Sequence, residues 1–115
     1  MWDEIERNVE DIAALTGAAP RHFRAGTAHV DDVAVDIAHD LRCAIVNFSV
    51  DGDSGATLPR PEVAARVARA AAGDVVISQM NRPGGGDARG YADALPRLLD
   101  RGVRTATLSE AGVLA

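Results

Sequence analysis

The chain has 115 residues, a net charge of −5 and a single cysteine, Cys43. This length fits one domain and excludes a closed eight-stranded (β/α) barrel, which needs about 250 residues. The acidic balance argues against general nucleic-acid binding, which depends on basic surface. One cysteine excludes an internal disulfide and a multi-cysteine metal site.

The first ten residues of the chain as given do not have the pattern of an export signal. Residues 1–10 are acidic, whereas a secretory signal begins basic and then turns apolar. No apolar run approaches the roughly 18 residues that predict a membrane-spanning helix. We therefore expect either a cytoplasmic chain, as given, or a fragment whose targeting segment is absent. We expect no binding to membranes or nucleic acid.

The first half of the chain alternates helical and extended patterns. From Trp2, apolar residues recur at steps of three and four, which predicts an amphipathic helix, and Gly17 is placed to end it. Asp31 or Asp32 is a suitable N-cap for the next helix. The further predicted elements are, in order, a strand at Phe23, a helix over 31–42 and a strand over 44–50.

The second half continues the alternation. Pro61 fits the first turn of a helix, and Gly73 is placed to terminate it. Asp87 is a candidate cap for the last helix, Pro96 should kink or break that helix, and Gly102 should end it. The predicted elements are, in order, a helix over 61–72, a strand over 74–79, a helix over 88–101 and a strand over 103–108.

Strands that alternate with helices predict an α/β fold of parallel βα repeats, here as a single domain over residues 1–115. In such folds the functional site lies at the carboxyl ends of the strands. The polar residues that follow the predicted strand ends include Arg24, Asp51, Asp53, Gln79 and Asn81. We therefore expect a site at this edge of the sheet.

Arg24 is the most informative of these residues. A guanidinium at a strand end can hold a carboxylate in a fixed fork geometry. Asp51 and Asp53 end the neighbouring predicted strand and are its natural partners. Two interpretations stay open, a binding site and a structural ion pair.

Two other sequence patterns are weaker evidence for a binding site. The glycine-rich run 84–90 follows a predicted strand and opens a helix, as phosphate-binding loops do, but it lacks the Lys-Ser/Thr of a P-loop. The three histidines, His22, His29 and His39, are spaced so that no pair faces one metal from one helix. No metal ligand is predicted.

Three sequence blocks, in this order and spacing, resemble one protein family. They are LTGAAPRHFRAGTAHVDDVAVDIAHDL (15–41), VNFSVDGDSGAT (46–57) and GDVVISQMNRPGGGDARGYADALPRLLDRGVRTATLSE (73–110). They are similar to the arginine-motif stretch, the following strand with its acidic loop, and the final motif of the polysaccharide deacetylase family. This family is the NodB-homology domain of carbohydrate esterase family 4. The resemblance covers residues 2–114 and is to the C-terminal half of that domain.

The resemblance implies half of a distorted (β/α) barrel. It also implies a family reaction, the removal of acetyl groups from N-acetylated sugar polymers. In that reaction a divalent metal such as zinc, held by one Asp and two His, activates water, and a second Asp is the base. Those residues belong to the family's N-terminal half, and this sequence has no Asp-Asp pair on an opening strand and no His-x-x-x-His. We therefore expect no cofactor in this chain.

The resemblance also assigns expected roles. Arg24 matches the arginine that orients the catalytic base, and Asp53, more weakly Asp51, matches the later acidic motif. One branch of the family reads His-Met-Asn-x-Pro where this chain reads Gln-Met-Asn-Arg-Pro from Gln79, and glutamine cannot donate a proton in catalysis. We therefore predict that Arg24 and Asp53 are vestigial catalytic residues and that Asp51, Gln79 and Asn81 contact substrate.

Three interpretations follow. The first is a truncated polysaccharide-deacetylase domain that is inactive alone. The second is a non-catalytic sugar-binding or homo-oligomeric interaction module. A half-barrel leaves open sheet edges, and either a second copy or a chain that carries the missing half can pair with them. The third is a small doubly wound domain that binds a phosphorylated ligand at residues 84–90.

Overall fold

The computed structural model describes residues 1–26 and 30–112. Helices and short strands alternate within these ranges, which confirms the predicted α/β class. The elements are α1 (Trp2–Thr16), β1 (His22–Phe23), α2 (Asp32–Asp40), β2 (Ala44–Ile45), β3 (Val50–Asp51), α3 (Arg60–Ala68), β4 (Val76–Ile77) and α4 (Asp87–Asp100). None of the helices in the described part of the chain is both long and apolar enough to cross a bilayer.

The chain divides into two compact units. Met1–Asn47 and Ala106–Ala115 form the terminal unit, and Phe48–Thr105 forms the central unit. In the terminal unit, β1 and β2 are parallel, with Phe23 opposite Ile45. Among the described residues of this unit, the buried side chains are small or aliphatic, namely Ile5, Ala34, Ile37, Ala38 and Cys43.

The caps of the terminal unit agree with the sequence. The helix α1 ends at Gly17, whose φ of 81° is left-handed, a conformation that glycine adopts without a steric penalty. Asp31 caps α2 by accepting a hydrogen bond from the Ala34 N–H at 2.8 Å. The predicted end of α1 at Gly17 and the predicted start of α2 at Asp31 are both confirmed.

In the central unit, β3 and β4 are parallel, with Val50 opposite Val76. The helices α3 and α4 pack on each other around an apolar core of Val63, Val67, Ala70, Ala94 and Leu98. Gly90 makes this close contact possible, because a Cβ there would lie 2.5 Å from Val63 Cγ1. The polar ends of β3 and β4 are therefore supported by a packed pair of helices.

The extended runs are shorter than predicted. The run 44–50 forms two strands because its pairing changes: Val46 N–H donates to Phe23 O at 2.9 Å, and Ser49 N–H donates to Val75 O at 2.9 Å. The predicted strand 103–108 is wrong, since these residues form no strand. Val103 N–H instead donates to Leu98 O at 3.0 Å and completes the turn that follows α4.

Three helix predictions are also corrected. The helix α3 ends at Ala68, well before Gly73, because the Asp74 carboxylate accepts from Ala71 N–H at 2.7 Å and draws the segment into a turn. Gly86 rather than Asp87 is the N-cap of α4. The helix α4 runs through Pro96 without a break, so the predicted break is wrong and the predicted kink stays a prediction. Pro96 is exposed, so water can donate to the carbonyl that its missing N–H leaves unpaired.

Candidate functional site

The candidate site lies at the carboxyl ends of β3 and β4 in the central unit. Gly52 lets the two ends approach, because its N–H donates to Ile77 O at 3.0 Å and a Cβ there would lie 2.5 Å from Ser78 Oγ. Asp53 and Gln79 meet at this point, since Gln79 N–H donates to the Asp53 carboxylate. The structure thus joins two of the residues that the sequence analysis singled out.

Asp51 and the residues after it form the acidic loop (51–57). Its backbone is left-handed at three successive residues, Ser54, Gly55 and Ala56, with φ of 50°, 72° and 64°. This conformation costs roughly 1–2 kcal/mol for each non-glycine residue. Asp51 Oδ1 offsets part of that cost by accepting hydrogen bonds from Ser54 N–H at 2.8 Å and Asp53 N–H at 3.3 Å.

Asp53 fastens the acidic loop to the end of β4. Its side chain is only 2% exposed, and its two oxygens accept from Gly55 N–H at 3.1 Å and Gln79 N–H at 2.7 Å. Burial alone would raise the pKa of Asp53. Hydrogen bonds from Gln79 N–H, the Asp87 carboxyl group and the N–H groups of Ala56 and Gly55 outweigh burial, and the pKa lies below its ordinary value. Asp53 is therefore a charged residue whose first role is structural.

Asp87 is a site residue that the sequence analysis missed, having treated it only as a cap. It lies in the first turn of α4 and is 7% exposed. Neither carboxyl oxygen receives a hydrogen bond from an N–H or hydroxyl group of the described residues. Burial and the adjacent Asp53 raise the pKa of Asp87 to about 6. The sequence signal, an acidic residue at a helix start, is too common to predict this environment.

Ser78 and Tyr91 connect the end of β4 to α4. Ser78 Oγ lies 2.7 Å from both Ile77 O and the Tyr91 hydroxyl. Because the Ile77 carbonyl can only accept, the Ser78 hydroxyl donates a hydrogen bond to it. The Tyr91 hydroxyl therefore donates to Ser78 Oγ. The serine proton is thus used in a structural bond, so Ser78 is not arranged as a nucleophile.

The remaining predicted residues are exposed. Arg24 follows β1 in the terminal unit, and its Nη1 donates to Ala25 O at 3.0 Å. Its predicted pairing with Asp51 or Asp53 stays a prediction. Asn81 is exposed two residues beyond Gln79. Of the three histidines, His29 lies outside the described residues.

Comparison with known proteins gives a match in structure but not in sequence. No protein-family model and no curated protein matches the chain. A family 4 carbohydrate esterase from Streptomyces lividans, solved in complex with acetate, superposes with a TM-score of 0.83 over 99% of this chain at 20% identity. The peptidoglycan deacetylase PdaC from Bacillus subtilis superposes with a TM-score of 0.78 over 96% of this chain at 17% identity. The chain has the fold of part of a family 4 carbohydrate esterase.

The esterase fold confirms the structural side of the resemblance inferred from the three sequence blocks. The chain spans 58% of the Streptomyces esterase and 52% of the Bacillus deacetylase. Its short parallel strands and covering helices agree with a partial deacetylase fold. The half-barrel geometry stays a prediction.

The resemblance implies a divalent metal, so we tested whether the residues present fit one. Within residues 1–26 and 30–112, no three His, Cys, Asp or Glu side chains form a group that can hold a metal ion. The carboxyl pair Asp53 and Asp87 supplies two groups, and Asp53 already accepts from two N–H donors. The donor set therefore does not fit the metal centre that the family reaction requires.

Proposed function

We propose that this chain is a polysaccharide-deacetylase-like protein that contacts N-acetylated glycans and does not hydrolyse them by itself. The observation that carries the proposal is the fold match to a family 4 carbohydrate esterase, with a TM-score of 0.83 over 99% of this chain. The similarity of the acidic loop and of the segment from Gln79 to the family's motifs supports it further.

The lack of hydrolysis follows from the chemistry of the acid position. The family reaction needs a group that donates a proton to the leaving amine, and the Gln79 side chain has no titratable proton. Asp87 can hold a proton, but both of its oxygens are buried, so a glycan cannot reach them. Asp53 is also buried and is engaged by backbone N–H groups.

Glycan contact is chemically reasonable for the exposed residues at the same edge. Asp51, Gln79 and Asn81 are exposed and offer a carboxylate and two amides to sugar hydroxyl and N-acetyl groups. Met80 lies between the two amides and is 99% exposed. A fully exposed methionine can cover the apolar face of a sugar ring.

The first test is acetate release by the purified chain from oligomers of N-acetylglucosamine, with and without added Zn²⁺. We expect no release above buffer. Gln79→His should also release none, because restoring the acid position does not supply a metal-bound water. Metal-dependent release by the unaltered chain would overturn the proposed lack of hydrolysis.

The second test is binding of the same oligomers, followed by NMR shifts of the backbone amides. We expect shifts in the acidic loop and at 79–81. Asn81→Ala should weaken binding about 3- to 10-fold, the usual effect of losing one hydrogen bond. Asn8→Ala, an exposed residue of α1, is the matched control. Equal affinities for both variants would contradict glycan contact at Asn81.

The alternative function is homo-oligomeric association. In the described residues each sheet has two strands, and unpaired strand edges favour pairing with another chain. This alternative predicts a solution mass of twice 12.0 kDa by light scattering. A monodisperse monomer would contradict it and would leave the glycan-contact proposal in place.

A further inference from the structure

Two buried carboxyl groups, Asp53 and Asp87, are hydrogen-bond neighbours at the start of α4. They belong to separate elements, because Asp53 lies in the acidic loop and Asp87 lies in the first helical turn. Their side chains are 2% and 7% exposed. Two adjacent buried carboxylates repel each other, so this arrangement is more stable when one of them carries a proton.

The hydrogen bonds decide which group carries that proton. Asp53 accepts from the N–H groups of Gly55 and Gln79, and such bonds favour the charged form. Asp87 receives no such bond from the described residues, so its neutral form is favoured. A protonated Asp87 has an O–H to donate, and Asp53 is the acceptor beside it. Burial, which is the larger cause, and the neighbouring Asp53 together raise the pKa of Asp87 to about 6.

Three polar side chains of α3 and α4 bind partners other than Asp53 and Asp87. On α3, the Arg60 guanidinium binds the Asp93 carboxylate of α4 at 2.7 and 2.8 Å. Arg66 donates to the Asp51 carbonyl at 3.3 Å, and Tyr91 is bonded to Ser78. Among the described residues, Asp53 is the one charged group that shifts the titration of Asp87.

We propose that the proton shared by Asp87 and Asp53 is a pH-sensitive fastening of the acidic loop to α4, closed in weak acid and loosened at neutral pH. Loss of the proton leaves two buried negative charges in contact, and separation of the loop from the helix relieves their repulsion. The same loop belongs to the proposed glycan site, so any effect on glycan binding rests on the proposed function. The fastening itself does not rest on it.

The pH range follows from the direction of each shift. The contribution of Asp87 to the stability of the contact between the acidic loop and α4 is fully present below its ordinary pKa of 3.8. It is lost as the pH rises through about 6. The contribution of Asp53, whose pKa is lowered, is present above 3.8 and is lost as the pH falls below that value. The loop is therefore held most firmly at a pH of about 4 to 5.

The test uses the whole chain without a glycan. Carbon-13 NMR of the aspartate carboxyl groups should show one group titrating near the pH of about 6 expected for Asp87. Amide hydrogen exchange, corrected for intrinsic rates, should show the opening of Gly55 and Gln79 rising about 20- to 30-fold between pH 4.5 and 7.5. Asp87→Asn, whose amide donates to Asp53 at every pH, should abolish that rise.

Asp100→Asn is the matched control, because Asp100 is exposed at the other end of the same helix; it should behave as the unaltered chain does. If every aspartate of the unaltered chain titrates below pH 5, the shared proton does not exist. If one aspartate titrates near pH 6 but the exchange of Gly55 and Gln79 does not change with pH, the proton does not fasten the loop. Both readouts are independent of glycan binding, so they fail or succeed separately from the proposed function.

Discussion

Replacement of Asp53 by asparagine is expected to lower the free energy of unfolding by about 2–3 kcal/mol. Each Asp53 carboxylate oxygen accepts a hydrogen bond from a backbone N–H group, one from Gly55 and one from Gln79. An asparagine has one oxygen, so its NH₂ group must face one of these two donors. The N–H that faces this NH₂ group loses its acceptor. The side chain therefore loses either its bond to Gly55 within the acidic loop or its bond to Gln79 at the end of β4.

The measurement is urea unfolding at about pH 5, because Asp87, with a pKa of about 6, is largely protonated there. The repulsion between the two carboxylates then does not enter the comparison. Asp51→Asn is the control in the same loop, since Asp51 is exposed and an asparagine Oδ1 can still accept from Ser54 N–H. We expect this control to cost less than about 0.5 kcal/mol. Equal losses for the two variants would show that Asp53 does not anchor the loop.

Local sequence signals predicted the class of fold well. Gly17 and Asp31 were identifiable because each end of a helix needs a particular backbone conformation or a particular side-chain acceptor. The strands were predicted too long, because an apolar run such as 44–50 indicates burial and does not show where the run changes its pairing partner. The turn made by Asp74 depends on a side-chain bond to Ala71 N–H, which competes with a helical pattern that the sequence otherwise favours.

The candidate site was predictable only in part. Asp53 and Gln79 were found because they follow two neighbouring strands of a parallel pattern, and the structure brings them together through Gln79 N–H. Asp87 was missed as a site residue because its burial depends on how closely the first turn of α4 packs against the start of α3. That closeness is set by Gly86, where the sequence shows only one glycine among several in a loop.

Gly86→Ala is therefore expected to be the more disruptive of two identical substitutions in that loop. Gly86 has φ −85° and ψ −2°, which alanine adopts easily, so the requirement for glycine is one of space. A Cβ there would lie 2.5 Å from Arg60 N and 2.7 Å from Pro59 C. These are backbone atoms that cannot rotate away, so the start of α4 must move. We expect a loss of about 3 kcal/mol in the free energy of unfolding.

Gly84→Ala is the matched control, because nothing lies within 4 Å of a Cβ at that position; its effect should stay within about 0.5 kcal/mol. Urea unfolding of the two variants under the same conditions gives the comparison. Displacement of the first turn should also separate Asp87 from Asp53 and expose it, so in Gly86→Ala the pKa of Asp87 should fall from about 6 towards its ordinary value. A variant that unfolds like the control and keeps the titration near pH 6 would show that Gly86 does not set the position of Asp87.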